Sequence, residues 1–262
     1  MLSSFDAGRL FGARTGSRPP WALALHGWRR THRDFDSVLG PVPATPGAGP
    51  EPALDAVALD LPGFGASPPP PEGWGSEGYA RAVVPVVEAM AGELGRPVVV
   101  LGHSFGGRVA VRLAAGWPSL VGGLVLTGVP SLAQVGGGPR RAPLAFRLAK
   151  GAHRRGLLPD ATMERLRHRY GSADYRQASG VMREVFVHLV NEAYDDDLAR
   201  LPGPVELVWG EHDTEVPVEV ARAASALLDG RARLTLCPGA GHMTPIEVPG
   251  ALRQALLRHR PR

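Results

Sequence analysis

Five residues, Gly102-His103-Ser104-Phe105-Gly106, carry the sharpest chemical signal in this 262-residue chain. Four apolar β-formers, Val98 to Leu101, run directly into them, and small helix-compatible residues follow from Arg108 to Gly116. A strand that becomes a helix through so short a turn puts the residue at its tip in a strained backbone conformation. Gly102 and Gly106 lack side chains, so neighbouring backbone can approach closely and the Ser104 hydroxyl stands clear. The N–H of Phe105, at the helix start, faces any negative charge that develops there. These are the parts of a nucleophilic centre. A chance G-x-S-x-G is the bland alternative in a chain with 34 glycines, but chance does not supply both the strand before it and the helix after it.

A serine hydroxyl is a poor nucleophile until a base within hydrogen-bond reach takes its proton. By residue type alone, His26 could be that base, and His103 and His212 also lie near candidate positions. His26, His212 and His242 could suggest a metal cluster, yet no HExxH or similar ligand spacing is present. No metal and no cofactor are expected.

The stretch around Ser104 resembles the nucleophile elbow of the α/β-hydrolase fold family. Similar matches occur at His26-Gly27-Trp28, at Asp60-Leu61-Pro62-Gly63-Phe64-Gly65-Ala66-Ser67, at Gly210–Pro217 and at the Pro238–His242 loop. The resemblance covers essentially the whole length and is weak only in the middle of the chain. It implies Ser104 as nucleophile, His242 as general base and acid, and Asp213 as the acid that orients His242. Serine, acid, histidine is the chain order expected of this fold. The implied oxyanion donors are the backbone N–H groups of Phe105 and Trp28, the latter or its immediate neighbour. His26 is then structural and fixes its loop through ring hydrogen bonds, with Gly27, Gly102 and Gly106 as further structural residues near the site. The Trp28 indole either lines an apolar pocket or is mere packing. Glu211 is a competing acid. Some relatives place the acid after the sixth strand, but here that position reads Gly128-Val129-Pro130-Ser131, without a carboxylate.

The elements that must position these residues alternate. Strands are expected over Leu10–Ala13, Trp21–Leu25, Ala53–Leu59, Val98–Leu101, Leu120–Thr127, Pro204–Trp209 and Ala232–Cys237. Helices are expected over Arg30–Leu39, Ser76–Leu94, Val218–Leu228 and Ile246–Arg258. The alternation breaks at Gly128–Pro130. From Ser131 to Leu201 no segment reads as a core parallel strand, and Leu144–Lys150, Asp160–Tyr170 and Tyr175–Val190 look helical, with Gly136–Gly138 as a mobile link. The expected fold is therefore α/β, a mostly parallel central sheet flanked by helices. Residues 1–130 and 202–262 form the core, and 131–201 a mostly helical cap inserted after the sixth strand.

Composition agrees with one domain plus an insertion. Gly and Pro reach 60 residues, but 44% hydrophobic residues in clean runs argue against disorder. The lone Cys237 excludes an intrachain disulfide framework and reads as a small core residue. There is no basic-then-apolar leader and no 18-residue apolar run, so a soluble, cytoplasmic protein without a transmembrane segment is expected. The net charge of +4 is uneven, with ten Lys/Arg against three Asp/Glu from Arg140 to Arg176. That stretch either steers an anionic small-molecule substrate or is a solvated face. No nucleic-acid motif accompanies it, and nothing fixes the oligomeric state.

The expected activity is acyl transfer by a serine hydrolase, most simply on a small or medium carboxylic ester. Serine at the elbow argues against dehalogenases and epoxide hydrolases, which need a carboxylate there. The same triad could cleave thioesters, amides, lactones or an activated C–C bond, and the arrangement also looks like cofactor-free haloperoxidases. An aminopeptidase would need a cap carboxylate, for which Glu184, Glu192 and Asp195 to Asp197 are candidates. A ligand-binding protein that kept the fold without turnover is the alternative from a different class.

Overall fold

The structure, a computed structural model, describes residues 2–44, 49–130, 132, 151–153, 155–159, 161–163, 165, 173–201 and 203–260. One sheet of eight strands forms: β1 (Leu2–Phe5), β2 (Leu10–Thr15), β3 (Ala22–Leu25), β4 (Ala56–Asp60), β5 (Val98–His103), β6 (Val121–Thr127), β7 (Val205–Gly210) and β8 (Ala232–Cys237). The order across the sheet is β1-β2-β4-β3-β5-β6-β7-β8. The β1–β2 and β2–β4 pairs are antiparallel and the remaining pairs parallel. Among the described residues, α-helices include α1 (Asp36–Leu39), α2 (Ser76–Leu94), α3 (Phe105–Gly116), α4 (Ala173–Gln177), α5 (Gly180–Leu189), α6 (Asp195–Arg200), α7 (Val218–Leu227), α8 (Thr244–Glu247) and α9 (Pro249–Arg258).

Side chains alternate across a strand, so a sheet covered on both faces needs apolar residues at nearly every position. In β5, Val98 and Val100 enter one layer with Tyr79, Val83, Val109 and Leu113 of α2 and α3. Val99 and Leu101 enter the other with Phe35, Val38 and Leu39, Leu252 and Leu256. The first layer also takes up Val185, Leu189, Tyr194 and Leu198, so the segment that precedes β7 is packed on α2 and α3.

Two arginines one turn apart on α3 hold that segment. Arg108 donates to the Leu189 carbonyl and Arg112 to the Asp197 carboxylate. The Arg112 guanidinium also lies 4.8 Å from the centre of the Tyr194 ring. From the other side, the Glu192 carboxylate accepts the Ser76 N–H at 3.0 Å, the Ser76 hydroxyl at 2.6 Å and the Tyr194 hydroxyl.

A helical cap is inserted after β6, as the sequence leads one to expect. Three differences have physical reasons. β1 was not expected because Leu-Ser-Ser-Phe has no apolar run, and pairing with β2 supplies what propensity does not. The helix expected over Ile246–Arg258 is two helices, since Pro249 has no N–H and Val248 before it takes φ −137°. The helix expected over Tyr175–Val190 breaks before Gly180, whose φ is +51°. Leu144–Lys150, Gly136–Gly138 and most of Asp160–Tyr170 lie outside the described residues. Among the described residues no helix is long and apolar enough to cross a membrane.

Candidate active site

β5 delivers Ser104 at φ 50°, ψ −113°, a conformation that costs a side-chain-bearing residue about 1–3 kcal/mol. The surroundings enforce it. Ser104 N–H donates to the Thr127 carbonyl at 2.9 Å, and its own carbonyl accepts the N–H of Gly107 at 3.1 Å. A Cβ on Gly106 would fall 2.1 Å from the Leu25 carbonyl oxygen, and one on Gly102 would fall 2.5 Å from the Gly107 Cα. Only hydrogen fits at either position. Gly106 N–H donates to the His26 carbonyl at 2.9 Å, whereas the N–H groups of Phe105 and Trp28 donate to no acceptor among the described residues.

His26 is fully buried at the end of β3. Its Nδ1–H donates to the Gly27 carbonyl at 2.7 Å and its Nε2 accepts the Leu61 N–H at 2.9 Å. Burial pushes its pKa down to about 4, so the ring is neutral and both nitrogens are engaged in tying two loops together. Gly27 lets His103 approach, since a Cβ there would lie 2.9 Å from His103 Nδ1 and 3.4 Å from Ser104 Cβ. The Trp28 indole packs among Phe64, Phe105 and Phe186, with ring centres 5.0, 5.6 and 5.3 Å away. Phe186 belongs to α5, so this aromatic group joins core to cap. Asp60 accepts the N–H groups of His32 at 2.8 Å and Ala66 at 3.0 Å and stiffens the next loop.

Asp213 follows β7. Its Oδ1 accepts the N–H groups of Glu215 at 2.9 Å and Val216 at 2.8 Å, and its Oδ2 lies 2.9 Å from His242 Nδ1. Glu211 and His212 point to solvent. Burial alone would lower the His242 pKa, but the hydrogen bond and charge of Asp213 outweigh it and hold the ring above the usual imidazole value. The His242 loop is fixed at both ends. Glu247 accepts the N–H groups of Gly241 and Met243 at 2.6 and 3.0 Å. His103 Nε2–H donates to the His242 carbonyl at 3.0 Å, and the two rings stand 5.0 Å apart. Burial pushes the His103 pKa down to about 3.

In the sequence Gly128 stands out as a break in the pattern and as part of a segment without a carboxylate, not as a neighbour of His242. Gly128 has φ +57°, and a Cβ there would fall 2.9 Å from His242 Cε1 and 3.5 Å from Asp213 Oδ2. A glycine directly after a strand end was the available signal. Ser104, Asp213 and His242 thus gather where β5, β6, β7 and β8 end. Ser104 Oγ and His242 Nε2 form no hydrogen bond here, a contact that in ligand-free sites often tightens only with substrate. Among the described residues no group of three His, Cys, Asp or Glu side chains could hold a metal ion.

The model of the Alpha/beta hydrolase family matches residues 22–255. This chain belongs to that family. Esterase Rv0045c of Mycobacterium tuberculosis is 38% identical over 136 residues, 49% of this α/β hydrolase and 40% of the relative. Pimeloyl-(acyl-carrier protein) methyl ester esterase of Neisseria meningitidis is 32% identical over 105 residues, 39% of this chain and 34% of the relative. This α/β hydrolase therefore spans less than half the length of these two relatives. Among solved structures, E-2-(acetamidomethylene)succinate hydrolase superposes with a TM-score of 0.67 at 20% identity, over 99% of this chain and 98% of that one. That likeness is one of fold.

Proposed function

We propose that this α/β hydrolase transfers the acyl group of a small or medium carboxylic ester to Ser104 and then to water. One constellation carries the reading: a strained serine, two N–H groups without an acceptor among the described residues, and a pinned Asp–His pair at one end of the sheet. His242 Nε2 takes the Ser104 proton as Oγ attacks the carbonyl carbon. The Phe105 and Trp28 N–H groups receive the tetrahedral oxyanion, each worth roughly 3–4 kcal/mol. Collapse expels the alcohol, which leaves with the proton from Nε2. Water then repeats the sequence on the acyl-enzyme and releases the acid. Asp213 keeps Nδ1 protonated and stabilises the imidazolium. No cofactor enters this scheme.

The cap, taken as 131–201 over a core of 1–130 and 202–262, would shape the pocket. Its arginine-rich stretch lies mostly outside the described residues, and an anionic small-molecule substrate remains part of the proposal, as does a cytoplasmic location. One observation weighs against the aminopeptidase reading. Glu192 is engaged by Ser76 and Tyr194, and Asp197 by Arg112 and Arg200, so neither is available for a substrate ammonium.

The test is labelling with a fluorophosphonate, comparing wild type with Ser104→Ala, followed by p-nitrophenyl esters and aminoacyl anilides. Labelling and esterase turnover should both vanish in the variant, the latter by roughly 10⁴-fold or more. Retained turnover in a folded Ser104→Ala protein would remove the triad, and a preference for anilides would restore the peptidase reading.

A further inference from the structure

One carboxylate beside the reacting atoms has no part in the scheme above. Glu215 Oε2 lies 3.6 Å from His242 Nε2, the nitrogen that exchanges protons with Ser104 and the leaving group. The Glu215 side chain is 70% exposed and that of His242 10%, so the carboxylate stands on the open side of the ring. Its place is not accidental to a floppy loop. The Glu215 N–H donates to Asp213 Oδ1 at 2.9 Å, so the bond that pins the triad acid also fixes the backbone that carries Glu215. Other charged groups around His242 face elsewhere. Asp213 meets Nδ1, Glu247 is engaged by the Gly241 and Met243 N–H groups, and His103 is neutral and bonded to the His242 carbonyl. Among the described residues, Glu215 is the acid that meets Nε2.

We propose that Glu215 selects the leaving group, favouring esters whose alcohol carries a positive charge, such as an alkylammonium, over those whose alcohol is anionic. The inference rests on the serine-hydrolase reading. A leaving oxygen must come within about 2.9 Å of Nε2 to receive its proton. It therefore passes within about 6.5 Å of Glu215 Oε2, that hydrogen bond added to the 3.6 Å contact. A cation two carbons beyond that oxygen can approach the carboxylate, and an anion there is repelled. Because Glu215 faces water, screening limits the effect to roughly three- to tenfold in kcat/KM at low salt. Any anion preference set by the arginine-rich stretch is thereby separated from the alcohol side of the ester.

The experiment uses the full chain and a matched pair of esters of one acyl group, that of the best p-nitrophenyl ester. The alcohols are choline and its neutral isostere 3,3-dimethylbutanol. The readout is the choline-to-neutral ratio of kcat/KM in wild type, Glu215→Gln and Glu215→Lys at low and at physiological ionic strength. The ratio should fall roughly three- to tenfold in Glu215→Gln, fall further in Glu215→Lys, and shrink in wild type as salt rises. The acid limb of the pH profile should also move. A carboxylate facing Nε2 stabilises the imidazolium, so its removal lowers the His242 pKa and shifts that limb to lower pH in Glu215→Gln. Fluorophosphonate labelling is measured on each protein. Equal ratios, or an unmoved acid limb, in labelled variants overturn the role of Glu215 and leave the hydrolase reading intact. Wild type that neither labels nor turns over any ester overturns that reading and this inference together.

Discussion

Ser104 and the cap segment from Gly180 to Arg200 are held against the same helix, α3, by different means. Around Ser104, backbone meets backbone. The Gly106 position touches the Leu25 carbonyl, and the Ser104 N–H reaches across to Thr127. The cap segment is held by long side chains, Arg108 and Arg112, reaching to Leu189, Asp197 and the Tyr194 ring. The first kind of contact has no slack, because peptide groups cannot change rotamer to relieve a clash. The second kind can be lost one partner at a time. A proposed nucleophile that must not move and a cap proposed to fit a substrate each have the kind of contact that suits them.

The contrast can be broken at its rigid end first. Gly106→Ala places a methyl group against two carbonyl oxygens and should cost about 3 kcal/mol or more, with loss of soluble protein or of fluorophosphonate labelling. A variant that melts like wild type and still labels would show that the elbow can give. Arg112→Met tests the other region. It strips a buried carboxylate, Asp197, of one of its two arginines, and should cost about 1–3 kcal/mol. Hydrogen exchange should rise over 190–200 while Ser104 still labels, and equal exchange would mean that apolar packing alone holds the cap. Smallest is Arg29→Ala, which removes a 3.9 Å pair with Asp174 in which both side chains are about half exposed. Its effect on melting should stay under about 0.5 kcal/mol, and a larger shift would make this pair a second anchor of the cap.

Those two regions are also unequally legible in the amino-acid sequence. The elbow is local: strand, turn and helix follow one another in the chain, and Gly102 and Gly106 announce the close approach that the fold then makes. The Asp213 and His242 loops could be placed because each follows a strand end with its own pattern of residues. The anchoring of the cap joins residues about 80 positions apart, such as Arg112 and Asp197, and no periodicity encodes such a pair. Two arginines four residues apart on a helix that had to be buried were a hint, since buried charge demands a partner. β1 was invisible for a related reason, being a strand by virtue of its neighbour. Gly128 was visible as a break, but not as the residue that lets His242 lie against β6.

That last contact bears on how the site tolerates motion. Ser104 N–H is bonded to the Thr127 carbonyl, and the next residue, Gly128, backs the His242 ring. Ser104 and His242, the proposed nucleophile and base, are thus both in contact with the same peptide unit. A displacement of that unit would push on both neighbours at once, so it would alter their separation less than it would alter either position. Such an arrangement would act as a differential gauge whose two arms share one pivot.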